Sequence, residues 1–350
     1  MKYPALLSFE EILPRLESFD AIIDARSPSE YALDHLPGAI NCPVLDDAQR
    51  IQVGTLYKQV GAFEAKKIGA ALVAKNIGHH LETLWLDKPR EWQPLIYCWR
   101  GGNRSGSMAH VLAKVGWPVV QLDGGYKAFR HHVNAALGQA PALEFNVICG
   151  TTGSGKSRLL EVLDSIGAQV LDLEKLAAHR GSVLGNLPST PQPSQKAFET
   201  AVWQQLRKFD PARPVFVEAE SKKVGNLRVP GPVMEKMRAS PCISLQLSRP
   251  NRVRLLMEDY DHFARDPELL NSQLDCLISL HGREKIGRWH EMARDARMAE
   301  LVDELLLQHY DPAYTRSIDR NFLRFGEARV LELADISPQA ILHAARTLHL

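Results

Sequence analysis

Disulfide and zinc chemistry have little support in this chain: its 350 residues hold five cysteines, an odd number with no Cys-x-x-Cys pair. Cys42, Cys98, Cys149, Cys242 and Cys276 are widely spaced, which suits a reducing compartment. No uninterrupted apolar run is long enough to span a bilayer, and the stretch Met1 to Glu10 lacks the apolar core of an export signal. A cytoplasmic protein with no membrane partner is expected. Net charge is also nearly absent. Lys and Arg total 42 against 41 Asp and Glu, so no global field draws in nucleic acid, and any RNA contact must rest on local basic patches and stacking. There is no internal repeat. The composition, 45% hydrophobic and 24% charged, is neither disordered nor membrane-like, and the length allows at least two cores.

Short apolar runs alternate with helical stretches through the first third: Ala21 to Asp24, Leu95 to Cys98 and Val119 to Asp123. Each ends on a polar or reactive residue, the pattern of parallel strands whose carboxyl ends carry a site. The spacing predicts one α/β domain over residues 1–135. The small, uncharged segment 136–143, with Gly138 and Pro141, reads as a linker. A second α/β unit over 144–250 opens with the strand Phe145 to Cys149 and a helix from Ser157 to Ile166. Further strands are predicted at Ala168 to Asp172, Pro214 to Glu218 and Cys242 to Leu247. Residues 251–350 show mostly helical spacing and are expected to pack on that second unit. The proline-rich stretch Leu187 to Ser194 cannot be helix or central strand, and reads either as a lid or as an ordinary surface loop.

The first chemical feature is Cys98-Trp99-Arg100-Gly101-Gly102-Asn103-Arg104-Ser105. Two glycines let backbone N–H groups turn inward around the sulfur, and with Arg100 and Arg104 nearby the loop favours a thiolate and an anion beside it. A buried structural cysteine is the competing reading. Cys42, Cys242 and Cys276 lack such surroundings and read as buried small hydrophobes.

This stretch resembles the rhodanese family, as do Asp24-Ala25-Arg26-Ser27-Pro28-Ser29-Glu30-Tyr31, His35-Leu36-Pro37-Gly38-Ala39-Ile40-Asn41 and Leu122-Asp123-Gly124-Gly125-Tyr126-Lys127-Ala128-Phe129. Asp24 and Arg26 at a strand end can brace the site. Two departures stand out. Asp34 occupies the place where the family usually has glycine, and the Cys-x5-Arg spacing is one residue longer than in most sulfur-transferring members. The wider cradle is expected to admit a larger chalcogen donor. The same spacing occurs in phosphatases, so phosphate-ester hydrolysis is a competitor, although Tyr97 rather than histidine precedes the cysteine and no general acid is evident.

The second feature is Gly150-Thr151-Thr152-Gly153-Ser154-Gly155-Lys156-Ser157, a Gly-x4-Gly-Lys-Ser loop directly after an apolar strand and before a helix. Its amides can surround a diphosphate at a helix N-terminus, Lys156 can reach the oxygens and Ser157 can hold Mg²⁺. Nucleotide hydrolysis would also need a metal-holding acid. Glu218 is the first candidate, with Glu220 next along and Asp172 or Glu174 as the alternative; a solvated strand-end carboxylate is the bland reading of each. No direct protein cage for a metal is expected. A diphosphate departing from carbon would need the same cradle without hydrolytic machinery.

A rhodanese-like domain followed by a phosphate-loop domain resembles the tRNA 2-selenouridine synthase family across nearly the whole chain. The likeness includes both loops, Leu171-Asp172-Leu173-Glu174 leading into His179-Arg180-Gly181-Ser182, Leu280-His281-Gly282 and His309-Tyr310-Asp311-Pro312. It implies that 2-thiouridine at the wobble position of certain tRNAs is S-geranylated from geranyl diphosphate, with Mg²⁺ beside the bound diphosphate. The geranylthio group is then replaced using selenophosphate, with Cys98 as selenium carrier. A selenophosphate-producing enzyme is an implied partner. For the RNA, Trp99 is a stacking candidate, and Lys222, Lys223, Arg228, Arg249, Arg252 and Arg254 are candidate phosphate contacts, each also readable as solvated surface charge. The alternatives are a sulfurtransferase fused to a nucleotide-dependent kinase or ATPase, and a tRNA-binding ATPase whose first domain only scaffolds.

Overall fold

The computed structural model describes residues 3–182, 184–186 and 190–349. It divides into two compact units, residues 1–136 with 199–201, and residues 137–198 with 202–350.

The first unit is built on a parallel sheet of β1 (Ala5–Leu7), β2 (Ala21–Asp24), β3 (Ala39–Asn41), β4 (Pro94–Tyr97) and β5 (Val120–Leu122), in the order β1-β5-β4-β2-β3. The middle strands read as continuous apolar runs because helices cover both faces of such a sheet. One face packs Ile23, Ile96, Met108 and Leu112 with a tryptophan cluster of Trp85, Trp92 and Trp117. β4 is buried along its length and delivers Cys98 at its carboxyl end. β1 and β3 are short strands at the two edges of the sheet, and the apolar pattern did not mark them.

The second unit carries another parallel sheet: β6 (Phe145–Cys149), β7 (Gln169–Leu171), β8 (Val215–Glu218), β11 (Cys242–Leu247) and β12 (Arg329–Leu333), in the order β12-β11-β6-β8-β7. A small antiparallel pair, β9 (Lys223–Val224) and β10 (Leu227–Arg228), stands apart. β6 is central, and the chain reaches its neighbours β8 and β11 on opposite sides. The crevice at its carboxyl end is therefore where such sheets bind ligands.

Residues 251–350 do more than supply helices. β12 adds an edge strand beside β11, with Leu331 and Leu333 inward and Glu332 outward. The helix Pro338–His349 packs Ile341, Ala344 and Ala345 onto the same core as the helix Lys156–Ser165. The remaining helices gather around Trp289, Leu274 and Leu301. Of the proline-rich stretch, Leu187, Pro188 and Ser189 lie outside the described residues, while Ser194 caps the helix Gln195–Leu206 by accepting from Ala197 N–H at 3.1 Å.

Candidate functional site

The thiol loop closes onto the N-terminus of the helix Asn103–Val115, with Cys98 buried at its base. Its shape depends on close backbone approach. Tyr126 N–H donates to the Cys98 carbonyl at 2.8 Å and Lys127 N–H to that of Trp99 at 3.0 Å. Gly125 has φ +56°, and a Cβ there would run into the Cys98 carbonyl oxygen, so only glycine fits. The Ser105 hydroxyl donates to Cys98 Sγ at 3.2 Å, and Gln121 Nε2 donates to Ser105 Oγ at 3.2 Å and to the Gly101 carbonyl at 2.6 Å. Sequence reasoning missed Ser105 and Gln121. The position of Ser105 directly after Arg104 was the available signal.

Arg100 is exposed, whereas Arg104 is held by Glu30 through a fork at 2.6 and 3.3 Å. Burial pushes the Glu30 carboxyl up, but Arg104 and the Ser27 amide bring it below the ordinary range. Beneath the loop, Asp24 and Arg26 form a fully buried ion pair at 2.6 Å, and the guanidinium lies 4.0 Å over the Tyr126 ring. Asp34 belongs to the same support: its carboxylate accepts from Tyr126 at 2.8 Å and its carbonyl from Arg26 at 2.6 Å. Burial pushes Asp34 upward. Trp99 is half-buried, tilted against Tyr126 at 5.3 Å. Cys276 is exposed, not buried as its sequence suggested, because it lies in a short 3-10 turn that turns it outward; the other four cysteines are buried.

In the second unit the phosphate loop runs from β6 into the helix Lys156–Ser165. Gly153, at φ +76°, lies against Leu256 so closely that a Cβ would clash. Lys156 Nζ donates to the Gly150 carbonyl at 2.7 Å. Three carboxylates, those of Glu174, Glu220 and Glu218, act on Lys156. Ser157 donates to Glu174 at 3.2 Å. Glu218 accepts from the Glu174 amide at 2.8 Å, and Asp172 caps its own helix by accepting from Lys175 N–H at 2.8 Å. Burial raises Glu218 well above the carboxylate range. Burial, with the Glu174 carboxylate beside it, pushes Glu220 up to about 8. Burial also lowers Lys156, against the pull of Glu174 and Glu220. Among the described residues, Ser154 Oγ and Glu218 Oε2 are buried without a hydrogen-bond partner. Among the described residues, no group of three His, Cys, Asp or Glu side chains is arranged to hold a metal.

Arg252 is not a surface phosphate contact. It is 6% exposed, donates from Nε to the Thr152 carbonyl at 2.9 Å, and is clamped by Asp311 at 2.6 and 3.0 Å. Arg249 pairs with Asp303 at 3.0 Å, while Lys222, Lys223, Arg228 and Arg254 are exposed. Beside the loop lies an apolar pocket that opens to solvent. Leu256, Tyr260, Phe263, Met298, Leu301 and Tyr310 line it together with Thr152 of the loop and Ser182. Sequence could not separate these residues from core. His281 and His309 hydrogen-bond each other at 3.1 Å within the same helical region.

A thiol loop on one parallel sheet and a phosphate loop on another define a rhodanese-like domain joined to a P-loop domain. Residues 8–132 match the rhodanese-like domain, and residues 143–270 match the tRNA 2-selenouridine synthase AAA domain. The tRNA 2-selenouridine synthase of Sulfurovum sp. is 31% identical over 92% of this chain and 98% of its own length, and that of Bdellovibrio bacteriovorus is 30% identical over 85% and 89%. That of Nitrosomonas europaea is 36% identical over 68% of this chain and 63% of its own length. The chain belongs to the tRNA 2-selenouridine synthase family and is an enzyme, a transferase. Among the described residues, no helix is long and apolar enough to cross a membrane.

Proposed function

We propose that this enzyme modifies the wobble uridine of tRNA in two stages. The sulfur of 2-thiouridine first takes a geranyl group from geranyl diphosphate, and selenophosphate then supplies the selenium that replaces the geranylthio group. The observation that carries the first stage is the apolar cavity sharing Thr152 with the phosphate loop. A nucleotide would bring a polar ribose to that place. Each CH₂ of a prenyl chain buried there gains about 0.8 kcal/mol.

The thiocarbonyl sulfur attacks the allylic carbon, and diphosphate leaves into the loop amides, Lys156 and the helix N-terminus. Positioning and charge neutralisation supply the acceleration. Ser157 and Glu174 would hold Mg²⁺, which adds neutralising charge at the leaving group. Cys98, set apart on its own loop, is the covalent group of the second stage.

The test is reaction of the full chain with thiolated tRNA, geranyl diphosphate and selenophosphate, omitting each in turn, with nucleoside mass spectrometry as readout. Geranylated nucleoside is expected without selenophosphate, and Lys156→Ala should slow its formation most. Selenouridine formed with ATP and without geranyl diphosphate would favour the nucleotide-dependent reading and end this one. A cytoplasmic setting and contact with a selenophosphate-producing enzyme accord with this chemistry.

A further inference from the structure

Electron counting constrains the second stage. Selenium in selenophosphate is at the selenide level and bonded to phosphorus. If the Cys98 thiolate took it as a selenopersulfide, the P–Se electron pair would stay on phosphorus, which would depart reduced, as phosphite. Displacement at carbon needs no such redox change. Selenium attacks C2 of the S-geranylated base, C2–Se forms, C2–S breaks, and geranylthiolate leaves and takes a proton. The base then carries a phosphoryl group on selenium, and a P–Se bond remains to be broken.

We infer that the Cys98 loop breaks that bond, with Cys98 accepting the phosphoryl group. This rests on the two-stage reading and specifies what Cys98 carries. The backbone N–H groups of Trp99, Arg100, Gly101 and Gly102 donate to no partner among the described residues. They and the first turn of the helix from Asn103 are donors available to a tetrahedral oxyanion beside Cys98. Arg104 is oriented by the Glu30 fork through its two terminal nitrogens, which leaves Nε for an oxygen of the phosphoryl group.

The steps balance without an oxidant. The Cys98 thiolate attacks phosphorus, S–P forms and P–Se breaks. The electron pair passes to selenium, delocalised over the N1–C2–N3 system of the base, which then takes a proton. Water next attacks phosphorus, S–P breaks, phosphate leaves, and Cys98 returns as thiolate. Ser105 Oγ, 3.2 Å from Sγ and itself donated to by Gln121, stabilises the sulfur as it departs. The missing general acid becomes intelligible. An alkoxide leaving group needs a proton delivered, whereas a conjugated selenolate is a weak base that leaves without one.

The test uses the full-length protein with S-geranylated tRNA and selenophosphate carrying radiophosphorus or, separately, radioselenium. Protein and RNA are separated after rapid acid quench. Radiophosphorus without radioselenium is expected on the wild-type protein during turnover. With Cys98→Ser, both labels should stay together on the wobble base. Ser105→Ala should prolong the phosphoprotein about tenfold to a hundredfold, the loss of one hydrogen bond to a charged sulfur, and Ser105→Thr should restore decay. Radioselenium on the protein without radiophosphorus would overturn the inference. So would Cys98→Ser yielding selenium-labelled, phosphorus-free tRNA at the wild-type rate, or tRNA with the geranylthio group still in place. Failure of the wild-type protein to act on geranylated tRNA would strike the two-stage reading instead.

Discussion

Replacing Asp311 by alanine strips the counter-ion from a guanidinium that steadies the phosphate loop. The Arg252 side chain is 7% exposed and that of Asp311 28%, so the arginine would be left in a poorly hydrated place while water could reach the vacated carboxylate position. Breaking a fully buried pair costs about 3–5 kcal/mol; partial exposure of one partner reduces this to about 2 kcal/mol. For a unit of about 200 residues that corresponds to a fall of about 4–8 °C in Tm. The comparison is Asp303→Ala, which removes the surface pair with Arg249, 49% and 36% exposed, and should cost no more than about 1 kcal/mol. Arg252 also holds the Thr152 carbonyl at 2.9 Å, so Asp311→Ala should raise KM for the prenyl diphosphate more than it lowers kcat. Differential scanning calorimetry and single-turnover geranyl transfer measure both. Equal melting of the two variants, with unchanged KM, would refute the argument that this buried pair braces the loop.

Three further outcomes are expected. Val302→Phe, which fills part of the apolar cavity, should raise KM for geranyl diphosphate about tenfold by excluding roughly two methylenes, while inhibition by free diphosphate stays unchanged in a competition assay. Gly125→Ala should abolish Cys98 alkylation by iodoacetamide in native protein, since its Cβ meets the Cys98 carbonyl; alkylation at the wild-type rate would show that the loop tolerates it. Glu220 binds its proton up to about pH 8 when folded, against 4.5 ordinarily, so the folded state holds the extra proton. The stability this provides is present below about pH 4.5 and lost as pH rises through about 8, and Glu220→Gln should flatten that decline in urea titrations without Mg²⁺ or diphosphate.

The strands that form the middle of each sheet were readable because burial on both faces makes them continuous apolar runs, as at Ala21–Asp24, Phe145–Cys149 and Cys242–Leu247. β12 was not, although Leu331 and Leu333 alternate with Glu332. Three alternating residues inside a helical region are too few to distinguish an edge strand from one turn of helix. Cys276 was misjudged because a cysteine's burial depends on which way its turn faces. Arg252 was misjudged because the partner that buries it, Asp311, is 59 positions away.

The make-up of both loops was determined by sequence alone, since each is a contiguous run of about eight residues, whereas the shape of the thiol loop also leans on Gly125 and Tyr126. Contacts between distant segments belong to the tertiary structure. Folding chose Glu174 over Glu218 and Asp172 as the partner of Ser157, set Ser105 and Gln121 behind Cys98, and opened an apolar cavity against Thr152. Those choices turn on a few ångströms between side chains far apart in the chain, and residue type and spacing carry no record of such distances.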